Sequence, residues 1–270
     1  MNNSVKLTPK DRMEIARFRD RPCFDDYVRD LFTDYFEMHG DRYYGEDSAI
    51  SGGIARFIGR PVTVIGNVKG KNTNDNISRN FGMAHPEGYR KSLRLMRQAE
   101  KFDRPIICLV DTAGAFCGVG AEERGQGEAI AVNLKEMMSL EVPVVSVITG
   151  QGGSGGALAL AVANEVFMLE NAIYSVISPR GFASILWKDP SREKEAADIM
   201  RITAQELFDF GIIEKIIEEP QGGAHNDVAM TVNGIREALK ETLDRLSCMD
   251  RKELRDQRYK KYRCIGVFGE

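Results

Sequence analysis

The chain has 270 residues, 43% of them apolar, and its 37 basic and 40 acidic side chains give a net charge of −3. This composition is globular and excludes a disordered chain, and the charge balance excludes a strongly basic nucleic-acid-binding protein. No apolar stretch approaches the ~18 residues of a membrane span, and the five scattered cysteines form no CxxC pair. We therefore expect a reduced, cytoplasmic protein with no metal site of its own and no membrane or nucleic-acid partner.

The first part of the chain predicts a helical arm and then a β-hairpin. Residues 1–48 are polar and the helical arm is predicted over 1–44, where four residues have the spacing of one helix face: Tyr27, Leu31, Tyr35 and Phe36. From residue 50 onward the sequence is β-rich, and two short runs, 51–57 and 61–68, flank Gly59 and Arg60. A glycine-containing turn between two such runs predicts a pair of antiparallel strands.

Two similar units follow, each made of a buried strand, a glycine-rich loop and a helix. The strands are predicted at 106–110 and 142–148, and the helices at about 123–139 and 156–164. Apolar strands that alternate with helices indicate parallel pairing in an α/β sheet. The remaining predicted elements are three short strands and a helical tail, at 166–169, 174–177, 211–217 and 221–270. We predict a single domain over 1–270 with its core at about 45–220.

Glycine is concentrated in the loops of these two units, because ten of the 26 glycines lie between Gly114 and Gly156. The second loop, Gly150–Ala157, precedes a helix, and backbone N–H groups at a helix start can bind an anion. Three interpretations remain open for this loop: a phosphate cradle, an oxyanion hole, or tight packing of strand against helix. The P-loop pattern GxxxxGK[ST] is absent.

The first loop, Asp111–Gln126, also follows the carboxyl end of a strand, where open α/β sheets place their sites. Glu122, Glu123 and Arg124 could act as acid, base or clamp, or could begin a helix with charges that suit its dipole. Cys117 lies in the same loop, but the sequence shows no partner base for it.

A basic stretch at 69–104 has nine Lys or Arg residues against four Asp or Glu residues. Its helix is predicted to carry a positive face and an opposite buried stripe, formed respectively by Arg90, Arg94, Arg97 and Lys101 and by Tyr89, Leu93 and Met96. The candidate contacts for an anion such as a nucleotide or the phosphates of coenzyme A are Lys69, Lys71, Arg79 and Arg90. An ordinary solvated face is the alternative.

Seven motifs occur together along the chain: Asn80–Met83, Pro86–Lys91, Gly120–Gln126, Gly152–Leu158, Tyr174–Pro179, Ile185–Trp187 and Pro220–His225. In this order they resemble the alpha subunit of the bacterial acetyl-CoA carboxylase carboxyltransferase, from about Tyr27 to the C-terminal tail. The resemblance implies a crotonase-like α/β fold, a spiral of ββα units with helical arms at both ends.

The resemblance also implies partners and a reaction. It implies an α2β2 heterotetramer whose separate beta subunit carries zinc and most acetyl-CoA contacts, working with biotin carboxylase and biotin carboxyl carrier protein. The carboxyl group of carboxybiotin, delivered on the carrier, would pass to acetyl-CoA and give malonyl-CoA for fatty-acid synthesis. Two alternatives stay open: a carboxyltransferase or decarboxylase subunit for another acyl-CoA, and a non-catalytic assembly partner.

By the same resemblance, the backbone N–H groups of Gly155 and Gly156 form an oxyanion hole for the ureido oxygen of biotin. The surrounding carboxybiotin-binding region is expected to include Gly152, Gly153, Ser154, Ala157, Gly114, Gly118 and Gly120. The sequence departs from the family at four positions, with Ala84, Ala113 and Cys117 where proline is usual and Arg180 where glutamate is usual. The resemblance would also lead us to expect a longer helical N-terminal arm than residues 1–44 provide.

Overall fold

A computed structural model describes residues 7–266, which fold around one eight-stranded sheet. The strands are β1 (Thr33–Glu37), β2 (Ile50–Phe57), β3 (Arg60–Asn67), β4 (Ile106–Thr112), β5 (Val144–Gly153), β6 (Glu165–Leu169), β7 (Ile173–Ser175) and β8 (Lys215–Ile217). Their order in the sheet is β1-β2-β3-β4-β5-β6-β8, and β7 pairs with the end of β5. The first two pairings are antiparallel and the others are parallel.

The predicted hairpin and both predicted buried strands are confirmed. β2 and β3 pair from Ile50 opposite Asn67 to Phe57 opposite Arg60. Every residue of β4 is buried, as expected for a parallel strand covered by helices on both faces. Because β3, β4 and β5 run parallel, their carboxyl ends meet at one edge of the sheet.

Twelve α-helices cover the sheet within residues 7–266. They are α1 (Pro9–Ala16), α2 (Phe24–Leu31), α3 (Thr73–Ser78), α4 (Pro86–Lys101), α5 (Val119–Glu123), α6 (Gln126–Ser139), α7 (Ser154–Ala161), α8 (Pro179–Leu186), α9 (Glu193–Met200), α10 (Ala204–Asp209), α11 (Val228–Leu246) and α12 (Arg251–Arg263). Their starts follow local chemistry: Thr8 and Asp11 form a capping box before α1, and Asp250 and Glu253 form one before α12. The predicted buried stripe of α4 is confirmed, since Tyr89, Leu93 and Met96 are all buried.

The helix predicted over Tyr27–Phe36 is wrong in its second half. Tyr27 and Leu31 lie on the buried face of α2, but the backbone becomes extended at Phe32 and continues as β1. The hydroxyl of Tyr35 is 2.8 Å from Ser51 Oγ on β2. Pairing along the edge of β2 outweighs the helical spacing, because a short segment takes its structure from its neighbours.

The second glycine-rich segment also differs from its predicted form. β5 continues to Gly153 and α7 begins at the next residue, so Gly150–Ala157 contains no separate loop. Gly152 and Gly153 pair with Tyr174 and Ser175 of β7. The backbone of this segment is therefore fixed by sheet pairing up to the first residue of the helix.

Candidate functional site

Two glycine-rich segments meet at the carboxyl end of the sheet. Thr112, the last residue of β4, pairs with Gly152 of β5. A Cβ atom on Gly153 would lie 2.1 Å from the carbonyl oxygen of Ala113, and one on Gly152 would lie 2.8 Å from Cδ2 of Tyr174. Both contacts are too short for any side chain, so close packing of neighbouring segments accounts for these two glycines.

The turn from β5 into α7 is tight and leaves the helix start uncapped. Ser154 has a left-handed φ of +51°, and no side chain caps α7. Gly155 and Gly156 lie in its first turn, where N–H groups lack an intrahelical acceptor. The helix start therefore offers backbone donors and a partial positive charge. Ala157, the next residue, is fully buried in the core.

Gly155 and Gly156 have different surroundings. A Cβ atom on Gly156 would come within 2.5 Å of the backbone of Gly114 and Ala115, whereas one on Gly155 would meet only Ile130, at 3.4 Å. Glycine at 156 is thus required by packing, and glycine at 155 is not.

A cavity of about 480 Å³, the main cavity below, opens at the carboxyl ends of β3, β4 and β5. Side chains that lie at these three strand ends line it: Lys69, Asp111 and Gln151. A smaller cavity of about 60 Å³ reaches Gly153 and Ser154 and shares Arg17, Ala113 and Gln151 with the main one. The two cavities therefore adjoin, and the α7 start lies beside the smaller one.

A charged pair forms the floor of the main cavity. Asp111 accepts a hydrogen bond from the backbone N–H of Gln151 at 2.8 Å and pairs with Lys69 Nζ. Lys69 Nζ also reaches Oε1 of Gln151 at 3.3 Å. Gly150 makes this possible, because a Cβ there would lie 2.5 Å from Oδ1 of Asp111. Asp111 thus fixes the ammonium group of Lys69, whose side chain remains 21% exposed.

Reasoning from the sequence missed the N-terminal wall of the main cavity. Residues 17–21 line it, and Arg21 anchors them by donating to the carbonyl of Thr149 at 2.8 Å and pairing with buried Glu219. Burial alone would raise the pKa of Glu219, but hydrogen bonds from Arg21 and Asn171 outweigh it and lower that pKa. The sequence feature that could have indicated this wall is the cluster of charged residues in Arg17-Phe-Arg-Asp-Arg21.

Lys71 and Cys23 line the same cavity beside Asp26. Lys71 Nζ donates to Asp26 at 2.6 Å and Cys23 Sγ donates to it at 3.2 Å. Burial opposes ionisation, but these donors lower the pKa of Asp26 to about 2. Burial, together with Asp26, raises the pKa of the Cys23 thiol to about 11, so this thiol is protonated at neutral pH and is a weak nucleophile.

The other two basic candidates lie outside both cavities. Arg79 Nε donates to Asp75 at 2.8 Å. Arg90 lies 3.8 Å from Asp41 and 3.7 Å from Glu87 in an ion-pair cluster. Of the four basic residues that the sequence singled out, Lys69 and Lys71 line the main cavity together. Arg79 and Arg90 form ion pairs outside it.

The glycines of the first loop are similarly divided. Gly114 adjoins the backbone of Gly153, but Gly118 precedes α5 beside the ring of Phe116, and Gly120 faces Arg124. Glu122 lies in the first turn of α5, in agreement with the helix-start interpretation.

Arg124 pairs with buried Glu87 at 2.8 Å. Among the departures from the family, Ala113 lines both cavities, whereas Arg180 is exposed next to Pro179 at the rim of the smaller cavity.

The fold has close counterparts among solved structures. Transcarboxylase 12S superposes with a TM-score of 0.68 at 20% identity, covering 89% of this chain and 46% of that one. A Pseudomonas malonate decarboxylase hetero-dimer superposes with a TM-score of 0.65 at 18% identity, covering 80% and 88%. This similarity places the chain in the crotonase-like fold class, as the resemblance predicted.

Sequence comparison defines the family within that class. The family model for acetyl co-enzyme A carboxylase carboxyltransferase-like proteins matches residues 2–266. The chain is 61% identical to the acetyl-coenzyme A carboxylase carboxyl transferase subunit alpha of Clostridium acetobutylicum, over 100% of this chain and 98% of the relative. It is 58% identical to the same subunit of Bacillus subtilis, over 96% and 80%. The chain belongs to the acetyl-CoA carboxylase carboxyl transferase alpha-subunit family, a family of transferases.

Two further observations bear on the other expectations. Within residues 7–266, no helix combines the length and the apolar character that a membrane crossing demands. In the same part of the chain, no three His, Cys, Asp or Glu side chains are grouped as metal ligands would be; the expectation of zinc on a separate subunit stays a prediction.

Proposed function

We propose that this chain binds carboxybiotin and, with a beta subunit, catalyses transfer of its carboxyl group to acetyl-CoA to give malonyl-CoA. The observation that carries the proposal is the start of α7, which no side chain caps and whose first turn holds Gly155 and Gly156; backbone N–H groups at this position of a helix have no intrahelical acceptor. This helix start lies beside a cavity in a member of a carboxyl transferase family.

The chemistry requires stabilisation of negative charge. When the N–C bond of carboxybiotin breaks, the electron pair remains on the ureido group and charge develops on its oxygen. The biotin nitrogen then takes a proton from the methyl group of acetyl-CoA, and the resulting carbanion forms a C–C bond with the released carboxyl carbon. Backbone donors aimed at the ureido oxygen would favour this step, and each such donor is worth about 3–4 kcal/mol in comparable sites.

The cations of the main cavity support a second part of the proposal. Lys69 and Lys71 would contact the negative charge of a substrate, either the carboxylate to be transferred or a phosphate of coenzyme A. Lys69 is partly exposed and fixed by Asp111 and Gln151, so its charge is positioned before any ligand arrives. Arg79 and Arg90 line neither of the two cavities and are weaker candidates.

The proposed partners are a zinc-bearing beta subunit, forming α2β2, together with biotin carboxyl carrier protein and biotin carboxylase in the cytoplasm. Exposed apolar side chains beside the smaller cavity support a protein partner at this face: Val176, Ile185 and Leu186 are 80%, 59% and 61% exposed. The multi-subunit nature of the structural relatives, a hexamer assembly and a hetero-dimer, agrees with this.

The test is a carboxyl-transfer assay of the full chain mixed with its cognate beta subunit, with carboxybiotin and acetyl-CoA as substrates. We expect malonyl-CoA from the mixture and none from the chain alone. Faster turnover with another acyl-CoA, or release of CO2 from malonyl-CoA, would establish one of the alternative activities instead. A stable complex with no transfer to any acyl-CoA would contradict the proposal and favour a non-catalytic assembly role.

A further inference from the structure

A strained turn borders the main cavity. Asn80, Phe81 and Gly82 are three consecutive residues with left-handed φ values of +47°, +56° and +76°. Glycine adopts this conformation freely and asparagine tolerates it, but a phenylalanine does so only at a cost in free energy. Such strain persists where the surrounding structure enforces it, and it is concentrated at functional sites.

The surroundings of this turn show what enforces it. The N–H of Gly82 donates to the carbonyl of Arg79 at 2.9 Å, and the side-chain amide of Asn80 lies 3.1 Å from Nδ1 of His85. A Cβ on Gly82 would lie 3.0 Å from the carbonyl oxygen of Asp111 and 3.1 Å from Cγ of Lys69. The turn therefore packs directly on Asp111 and Lys69 at the cavity floor. This close contact at Gly82 favours the left-handed backbone of the turn.

The ring of Phe81 is not used to fill the core. It is 49% exposed and lines the main cavity. Phe18 lines the same cavity, is also 49% exposed, and stacks on His225 with a centroid distance of 4.4 Å. Two half-exposed aromatic rings thus stand in one cavity whose floor carries Lys69 and Gln151.

We propose that Phe81 is a specificity-determining residue, a fixed wall of the main cavity on which the bicyclic ring of biotin packs while its ureido oxygen is directed towards the α7 start, where the smaller cavity adjoins the main one. This rests on the proposed function, which supplies carboxybiotin as the substrate. The ring system of biotin has apolar faces and a polar edge, and the cavity presents the same combination of an aromatic wall and polar donors. The strained backbone holds the wall in place before the ligand arrives, which reduces the ordering cost of binding.

The substitution Phe81→Gly separates this role from a structural one. It removes the ring and relieves the left-handed strain, so thermal unfolding should stay at or above the wild-type midpoint while ligand binding weakens. Phe81→Leu retains an apolar side chain without the aromatic face. Phe102→Ala is the matched control, because Phe102 is also exposed, at 58%, and lines a different cavity.

The experiment measures carboxyl transfer from malonyl-CoA to free D-biotin, the reverse of the proposed reaction, by the chain assembled with its beta subunit. We expect Phe81→Gly to raise the KM for biotin about tenfold, Phe81→Leu to raise it less, and neither to change the KM for malonyl-CoA. Phe102→Ala should change neither constant.

Each other outcome is decisive. Wild-type constants in both Phe81 variants would overturn the role of the ring and leave the proposed function standing. A raised KM for malonyl-CoA alone would show that the wall packs on the adenine ring of coenzyme A instead. A lowered unfolding midpoint in both variants would show that Phe81 is a packing residue. Absence of transfer by the wild-type complex would instead contradict the proposed function itself.

Discussion

Gly155 and Gly156 are neighbours in sequence, but only one of them can be altered without moving the backbone around it. The contacts of a Cβ on Gly156 fall on the backbone of Gly114 and Ala115. Even alanine at 156 therefore displaces the first glycine-rich segment, and lost activity there would not separate chemistry from packing. Position 155 is where the proposed oxyanion hole can be tested.

We predict that Gly155→Pro lowers carboxyl transfer by about 10²–10³-fold, whereas Gly155→Ala retains most of it. Proline removes one N–H donor and is tolerated in the first turn of a helix, and loss of one oxyanion-hole donor has an effect of this size. Alanine keeps the N–H, and its Cβ meets Ile130 at an ordinary distance. The measurement is kcat with saturating carboxybiotin and acetyl-CoA.

The comparison is valid if both variants unfold thermally like the wild type, because proline also restricts the preceding residue, Ser154. Unchanged kcat in a folded Gly155→Pro variant would exclude this N–H as a catalytic donor.

Arg21 and Glu219 give a second prediction for single residues. Glu219→Gln removes a buried ion pair and should destabilise the fold by about 3–5 kcal/mol at neutral pH, because Arg21 is left buried without its counter-charge. The pKa of Glu219 is lower in the folded chain than its usual value. Its contribution is therefore complete above the unfolded-state pKa of about 4.5 and declines as the pH falls through the folded-state value.

Urea unfolding of the wild type and Glu219→Gln between about pH 3 and pH 8 measures this, and the difference between them should shrink towards acid. The surface pair of Arg192 and Glu195 serves as a control: Glu195→Gln should change the unfolding free energy little. A pH-independent difference for Glu219→Gln would show that lost packing, not charge, is responsible.

At the scale of elements, the sequence predicted those structures whose signals are local and repeated. The apolar run 106–110 and the α4 stripe of Tyr89, Leu93 and Met96 each predict burial from their own pattern, and both are buried. The helix predicted to include Tyr35 was wrong because an aromatic residue suits both a helix face and a strand. The spacing of Tyr35 from Tyr27 favoured a helix, although Tyr35 lies in β1. Only the edge of β2, brought beside it by the fold, decides between them.

The site was predictable to a similar extent. The two glycine-rich segments could be located because each follows a buried strand, and the structure places Gly114 next to Gly153. Arg21 was missed because its partner, Glu219, lies 198 residues further along the chain. Long-range pairs of charged residues leave no periodic signal in a single sequence.

The C-terminal helix α12 shows the same limitation. The sequence predicts a helical tail here but does not indicate which side chains it buries; Leu254, Arg258 and Tyr262, at i, i+4 and i+8, face the domain. Arg258 is fully buried and donates to the carbonyls of Met137 at 2.9 Å and Leu140 at 2.7 Å and to Asn164 Oδ1 at 2.6 Å. Burial lowers the pKa of its guanidinium to about 10, so it stays charged at neutral pH.

We predict that Arg258→Met destabilises the chain on the order of 3 kcal/mol, because several buried acceptors lose their donor at once. Arg255→Met on the same helix should have a small effect, since Arg255 is exposed at 42% and makes only surface ion pairs, with Glu141 and Asp256. Urea unfolding gives both values, and limited proteolysis should detach α12 first in the Arg258 variant. Equal stability of the two variants would contradict the anchoring role of Arg258.

At the scale of the whole molecule, stability is distributed unevenly between the central sheet and the face that carries α8. β4, β5 and β6 are covered on both sides, whereas the helix and the segment before it leave Val176, Ile185 and Leu186 largely exposed. Regions with few buried apolar contacts open locally, while buried strands exchange their amide protons only when the whole domain unfolds.

Hydrogen exchange followed by mass spectrometry should therefore resolve two classes of peptide in the free chain. We expect peptides from 106–112 and 144–150 to exchange with the free energy of global unfolding, measured independently in urea, and peptides from 176–187 to exchange orders of magnitude faster. Addition of the cognate beta subunit should slow exchange at 176–187 if this apolar face is part of the contact, and peptides from the exposed side of α12 serve as the internal control. Equal protection of α8 and β5 in the free chain would show that the α8 face is already as stable as the core and needs no partner to order it.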